Sequence, residues 1–231
     1  MATRKAEVGK AHFTKDVFKF LQELKANNNR DWFLANKERY ETNVKGSFLQ
    51  FIADFSSYLE KVNRNFVADP RPNGGSMMRI YRDIRFSKDK TPYKTWLAAH
   101  FPHKAASTDC QAPSFYLHMD LDHCFAAGGM WHPDKVALKK VRDSIVNRPK
   151  SWRKVVDSGI PIEGETGSRP PKGYSADHQF IEDLKRKDFC ASIRFKQSDV
   201  VKPDFIQKYA EACKSMIPLM KFLTEAVGLE W

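Results

Sequence analysis

Residues 114–122, SFYLHMDLD, set the tightest limit on what this chain can fold into. Phe115, Leu117, Met119 and Leu121 alternate with Tyr116, His118, Asp120 and Asp122. Successive side chains of an extended strand point to opposite faces, so the alternation makes one apolar and one polar face. That pattern belongs to a sheet buried on one side, the habit of antiparallel sheets. Residues 123–131 read as the return strand, with Gly128-Gly129 marking a bulge or a close backbone approach. Residues 77–82 read as a strand with 95–101 as its antiparallel neighbour, and a further strand is expected near 190–196.

Helices flank this block on both sides. Thr14 is placed to cap a helix carrying Val17, Leu21 and Leu24, and the run Asn27-Asn28-Asn29 ends it. Asp31 is expected to cap a second helix with Trp32, Phe33 and Tyr40. Phe48, Phe51, Ile52, Phe55, Leu59 and Val62 fall on one face of a helix over 47–62, with a bend expected at Gly46. Pro133 suits the first turn of a helix running to about Asn147, closed by Arg148-Pro149. A short helix follows from Ser151 and another near 177–186. Pro203 opens a C-terminal helix that Pro218 kinks or restarts. The order helices, strands, helices predicts an α+β fold: a single domain over 1–231, with a largely antiparallel sheet and N-terminal and C-terminal helices packed on it. Residues 1–12 are expected to be a flexible basic tail.

Seventeen Phe and five Trp supply large core side chains. No apolar run approaches the roughly 18 residues that span a bilayer, so no membrane partner is expected. The first residues lack an apolar targeting segment, and Cys110, Cys124, Cys190 and Cys213 are scattered without a C-x-x-C pair. These features predict reduced thiols and a cytoplasmic location. Phosphate-binding G-x-x-x-x-G-K-[ST] and G-x-G-x-x-G loops and the G-x-S-x-G nucleophile turn do not occur, and no Cys/His spacing suggests zinc. The cofactor, if there is one, is left unassigned by the sequence.

Chemistry concentrates in the sixteen residues Arg79–Lys94, where Arg79, Arg82, Arg85, Lys88, Lys90 and Lys94 stand against Asp83 and Asp89 alone. Phe86, Pro92 and Tyr93 lie among them. Guanidinium forks match phosphate and carboxylate oxygens. The segment either cradles an anion or staples a turn with internal ion pairs. His118 shares a strand face with Asp120 and Asp122, a set suited to acid–base work, a divalent metal or a hydrogen-bonded polar face; the last is preferred, and no metal site is assigned. Trp131 and His132 precede a helix bearing Lys135, Lys139 and Arg142. They either complete an anion pocket at a helix N-terminus or form a cap beside a buried Trp. The candidate ligand-binding set is therefore Arg79, Arg82, Asp83, Arg85, Lys88, Lys90, Tyr93 and Lys94, with His118, Trp131 and His132 nearby.

Four segments, Asn28–Phe33, Arg79–Lys94, Ser114–Met119 and Gly128–Pro133, together make the chain resemble a widespread family of conserved hypothetical proteins with a domain of unknown function. The resemblance implies one soluble domain and supplies no activity, cofactor or catalytic residue. One departure is the Asp120–His123 turn, where relatives are expected to carry Pro or Gly.

Three functions are compatible with these observations. The first is a basic pocket for an anionic small molecule bearing phosphate or carboxylate, with or without catalysis. The second is a nucleic-acid-binding module, suggested by a net charge of +11 and by eight basic residues against one acid from Lys135 to Lys154. The third is an interaction or scaffold protein with an exposed apolar patch.

Overall fold

The computed structural model describes residues 9–107 and 111–231. Helix α1 (Lys15–Ala26) begins as expected: Thr14 is extended and its hydroxyl accepts from the Asp16 N–H. Helix α2 (Arg30–Ala35) is capped two residues earlier than expected. The Asn29 side chain, not Asp31, accepts from Trp32 N, and Asp31 sits in the first turn, where the helix dipole favours its charge. A short α3 (Lys37–Arg39) widens into a π-helical segment, Tyr40–Gly46, that continues into α4 (Ser47–Val62). Gly46 itself is helical, so the irregularity is a π-turn rather than a bend at the glycine. All six apolar residues expected on one face of α4 are buried.

Strands β1 (Leu97–Pro102), β2 (Ser114–Met119), β3 (Cys124–Met130) and β4 (Phe189–Phe195) form one antiparallel sheet in that order. Phe115, Leu117 and Met119 are fully buried, whereas Tyr116 and His118 are partly exposed. The pattern stops at Met119 because Asp120 makes the turn. Its carboxylate accepts from the N–H groups of Asp122 and His123, and its own N–H donates to the His123 carbonyl. An aspartate side chain thus organises the turn without Pro or Gly.

Helices α9 (Phe205–Ser215) and α10 (Ile217–Ala226) press on the buried face at β3. A Cβ on Gly128 would lie 2.9 Å from the Met216 sulfur. Helix α4 packs on α9 through Phe51 and Phe55 against Tyr209. Gly129 has φ 141°, and a Cβ there would run into the Phe189 carbonyl of β4. The buried residues of all these elements form one contiguous core.

The strand expected at 77–82 does not form. Met78 N donates to Ala98 O, His100 N donates to Ser76 O, and a single bridge joins Met77 to Ala99. Beyond that the chain pairs with the return limb of its own loop: Tyr81 bridges Tyr93, Arg82 N donates to Pro92 O and Lys94 N donates to Ile80 O. Pro92 has no N–H with which to extend this ladder. At the other side of the sheet Glu163 bridges Cys190 of β4, its N–H donating to the Cys190 carbonyl at 2.6 Å.

Asp134 caps α5 (Lys135–Asn147), so Pro133 lies just before the helix rather than in its first turn. Pro149 begins α6 (Pro149–Asp157). Helix α7 (Ile181–Leu184) is much shorter than the expected 177–186, and α8 (Gln197–Val200) precedes α9. Pro218 sits in the first turn of α10 and restarts the helix. Of the expected tail, residues 1–8 lie outside the described residues, while the His12 ring nitrogen meets the Asp54 carboxylate at 2.8 Å. Among the described residues no helix is long and apolar enough to cross a membrane.

Candidate functional site

The charged segment is first of all a stapled loop. Asp83 takes a two-point contact from Arg85, Nε at 2.9 Å and Nη2 at 2.7 Å. Asp89 accepts from the Thr91 N–H at 2.9 Å, from its hydroxyl at 3.0 Å and from Arg82. Arg82 also reaches the Thr91 hydroxyl and carbonyl, and Lys90 Nζ caps the Ile84 carbonyl at 3.0 Å. The Thr91 N–H, then Arg82 and the Thr91 hydroxyl, hold the Asp89 carboxyl down at about 2. Arg85 likewise holds Asp83 below its ordinary range.

The base of the loop is tied to the helical layer. The Asn28 amide donates to Tyr93 O at 2.9 Å and accepts from Tyr93 N at 3.1 Å. The Tyr93 ring stacks on Phe33 with centroids 4.1 Å apart. Between this tie and β1 lies a cleft of about 580 Å³, lined by Lys25, Asn28, Arg82, Asp83, Asp89, Thr91, Tyr93, Lys94, Thr95 and Trp96.

Lys94 is the cleft's unsatisfied cation. Arg82 is committed to Asp89 and Thr91, and Lys25 lies 3.8 Å from Asp122. Among the described residues the Lys94 ammonium makes no hydrogen bond or ion pair and rests 4.5 Å from the Trp96 ring centroid. Burial, and then the positive charge of Arg79, hold it below the ordinary lysine range. Arg79 and Lys88 also make no side-chain hydrogen bond or ion pair among the described residues. Behind Trp96 the rings continue as a column: Trp96 to His118 at 5.4 Å, then His118 to Phe125 at 4.9 Å and 17°. Both His118 nitrogens are occupied, one by Asp120 at 3.1 Å and one by the Tyr116 hydroxyl at 3.2 Å. Burial and the nearby Asp120 raise that hydroxyl to about 12.

Of the residues expected at a site, Arg82, Asp83, Tyr93 and Lys94 line the cleft, whereas Arg79, Arg85, Lys88 and Lys90 do not. His118 stands one ring behind it. Trp131 and His132 are not brought to it. Trp96 and His118 lie where Leu97, Met119 and Cys124 pair, while Trp131 follows Met130 at the other end of β3, about 20 Å along the strand. There Trp131 is 66 % exposed rather than buried, and His132, at φ 48°, donates its N–H to the fully buried Asp188 at 2.7 Å. Lys25, Asn28, Thr95 and Trp96 were not singled out as site residues. Asn28 reads as part of a helix-ending run and as the start of the Asn28–Phe33 segment, and nothing in residue spacing ties it to Tyr93.

The basic stretch on α5 and α6 is largely consumed by the fold. Lys139 pairs with Asp143 and Arg148 with Glu225. Lys140, Arg142 and Arg153 bond the Val227 carbonyl, the Arg186 carbonyl and the Gln179 side chain. Among the described residues no group of three or more His, Cys, Asp and Glu is arranged to hold a metal ion. Burial raises the thiols of Cys124 to about 11 and of Cys190 and Cys213 to about 12, away from the reactive thiolate; Cys110 lies outside the described residues.

No curated protein and no solved structure matches the chain. A family model described as a conserved hypothetical protein, DUF2461, matches residues 16–222. That span runs from the first turn of α1 into α10 and contains the whole cleft, the loop that stapled it and the sheet behind it. The chain therefore belongs to the DUF2461 family of conserved hypothetical proteins.

Proposed function

We propose that the cleft beside the Arg79–Lys94 loop recognises a small anionic molecule through a phosphate or carboxylate group. The observation that carries this reading is Lys94: a partly buried ammonium with no anionic partner, beside an aromatic wall and a second unpaired cation, Arg79. The partly buried Lys94 and the exposed Arg79 repel as like charges, and an external anion relieves both. Asp83 and Asp89 fill that role only in part: the Arg79 charge reaches Asp83, but Arg85, Arg82 and Thr91 already bond the two carboxylates. A nucleic-acid reading draws less support, since five of the eight basic residues of the Lys135–Lys154 stretch are bonded within the chain.

The test is titration with inorganic phosphate and with a dicarboxylate, followed by calorimetry and thermal shift. Lys94→Met keeps the length of the side chain and removes its charge. It is expected to weaken phosphate binding about tenfold or more, the size of one lost charge-assisted contact. Arg85→Ala, which removes a guanidinium that does not line the cleft, is expected to leave a larger share of the affinity. Unchanged binding by the Lys94 variant sinks the reading.

A further inference from the structure

Recognition of an anion does not require what surrounds the Lys94 nitrogen. A lysine that only binds phosphate works best fully charged. Lys94 is partly buried in the cleft, makes no ion pair among the described residues, and has a guanidinium rather than a carboxylate for its charged neighbour; only the Trp96 face, 4.5 Å away, favours its charged form. Its stem is fixed at the root, because Lys94 N donates to Ile80 O at 2.7 Å and the adjoining Tyr93 is clamped by Asn28 through both backbone groups. A lysine next to another cation in a sheltered cleft keeps a larger fraction of free amine, the form that attacks carbonyl carbon. Burial, and then the nearby Arg79, hold its ammonium below the ordinary lysine range.

We propose that Lys94 Nζ condenses with the carbonyl group of an anionic substrate, a 2-oxo acid or a phosphorylated aldehyde, to form an imine in the cleft. This deepens the anion reading and rests on it, since the substrate's charged group is what Arg79 and the cleft draw in. The neutral amine adds to the carbonyl carbon, forming the C–N bond. The carbonyl oxygen takes up a proton as the nitrogen gives one up, which yields a carbinolamine. Loss of that hydroxyl with the remaining nitrogen proton expels one water and leaves C=N. Nothing is oxidised or reduced, so no further reactant is needed. The Trp96 face gives the flat, newly formed imine an apolar wall.

The full chain is incubated with glyoxylate or glycolaldehyde phosphate, reduced with cyanoborohydride, and the modified lysines are mapped by peptide mass spectrometry. Lys94 is expected to be labelled at least about tenfold faster than any other lysine. Its rate should rise with pH below the range in which surface lysines respond, and inorganic phosphate should compete. Lys94→Arg should lose this fast labelling while melting like the parent. Propanal, a neutral aldehyde, separates the two readings. Fast labelling of Lys94 by propanal and by the phosphorylated aldehyde alike, without competition by phosphate, upholds the imine and overturns the anion site. Phosphate binding that depends on Lys94, with labelling spread evenly over surface lysines, overturns the imine and upholds the anion site.

Discussion

Asn28 does for Tyr93 what a neighbouring strand would do, satisfying the backbone N–H and C=O with one side-chain amide. Asn28→Ala leaves both partly buried groups without partners and is expected to cost about 1–3 kcal/mol in denaturant unfolding, with a parallel loss of phosphate affinity. At the loop tip the relevant variable is pH. Asp89 is held down at about 2 in the folded chain, so its contribution is complete above the ordinary carboxyl range near ~4 and is lost as pH falls toward 2. Amide exchange across residues 82–91 should accelerate in that acid window, and Asp89→Asn should make the exchange rate of these amides insensitive to it. Lys94 runs the other way. Its ammonium is lost below the ordinary lysine range, so phosphate affinity should decline as pH rises into that region while imine trapping speeds up.

Elements whose formation depends on local spacing are legible in the sequence. The Thr14 cap, the apolar face of α4 and the alternation of β2 are local rules, and each acts within a few residues. The strand expected at 77–82 was not readable, because its choice of partner turns on Pro92, ten or more residues downstream, and on a loop whose cations bond inward. The cap of α2 slipped from Asp31 to Asn29 because both residues are good caps, and only the chain direction out of α1 decides between them. Two substitutions test the elements themselves. Gly129→Ala puts a Cβ against the Phe189 carbonyl at a φ that L-residues avoid, and is expected to destabilise the protein by more than about 3 kcal/mol or prevent folding. Asp134→Ala removes the acceptor that takes the Ala137 N–H at 2.8 Å, and should cost about 1 kcal/mol in the same unfolding assay.

At the scale of the whole molecule, the candidate residues split because sequence gives their chemistry but not their end of the sheet. His118 and Trp131 are thirteen positions apart, yet a hairpin turn and a full strand separate them. The high net charge was equally opaque. The residues of α5 and α6 that suggested a binding surface bond Asp143 within α5 and, through packing against α10 and the loops, Glu225 and backbone carbonyls. Burial of Cys124 and Cys213 gives a global check on the core: a thiol reagent should react with them far more slowly in the native chain than in denaturant, at a rate tied to unfolding. The two borders of the sheet carry a last consequence. Residues 76–78 bond to the middle of β1, and Glu163 bonds to β4, so neither outer strand offers an uninterrupted row of free peptide groups. Another polypeptide that adds itself as a fifth strand would therefore have to displace residues 76–78 on β1, or Glu163 at the start of β4, to pair along the whole strand. Excising 160–167 would uncover β4, and the protein should then associate in a concentration-dependent way in light scattering.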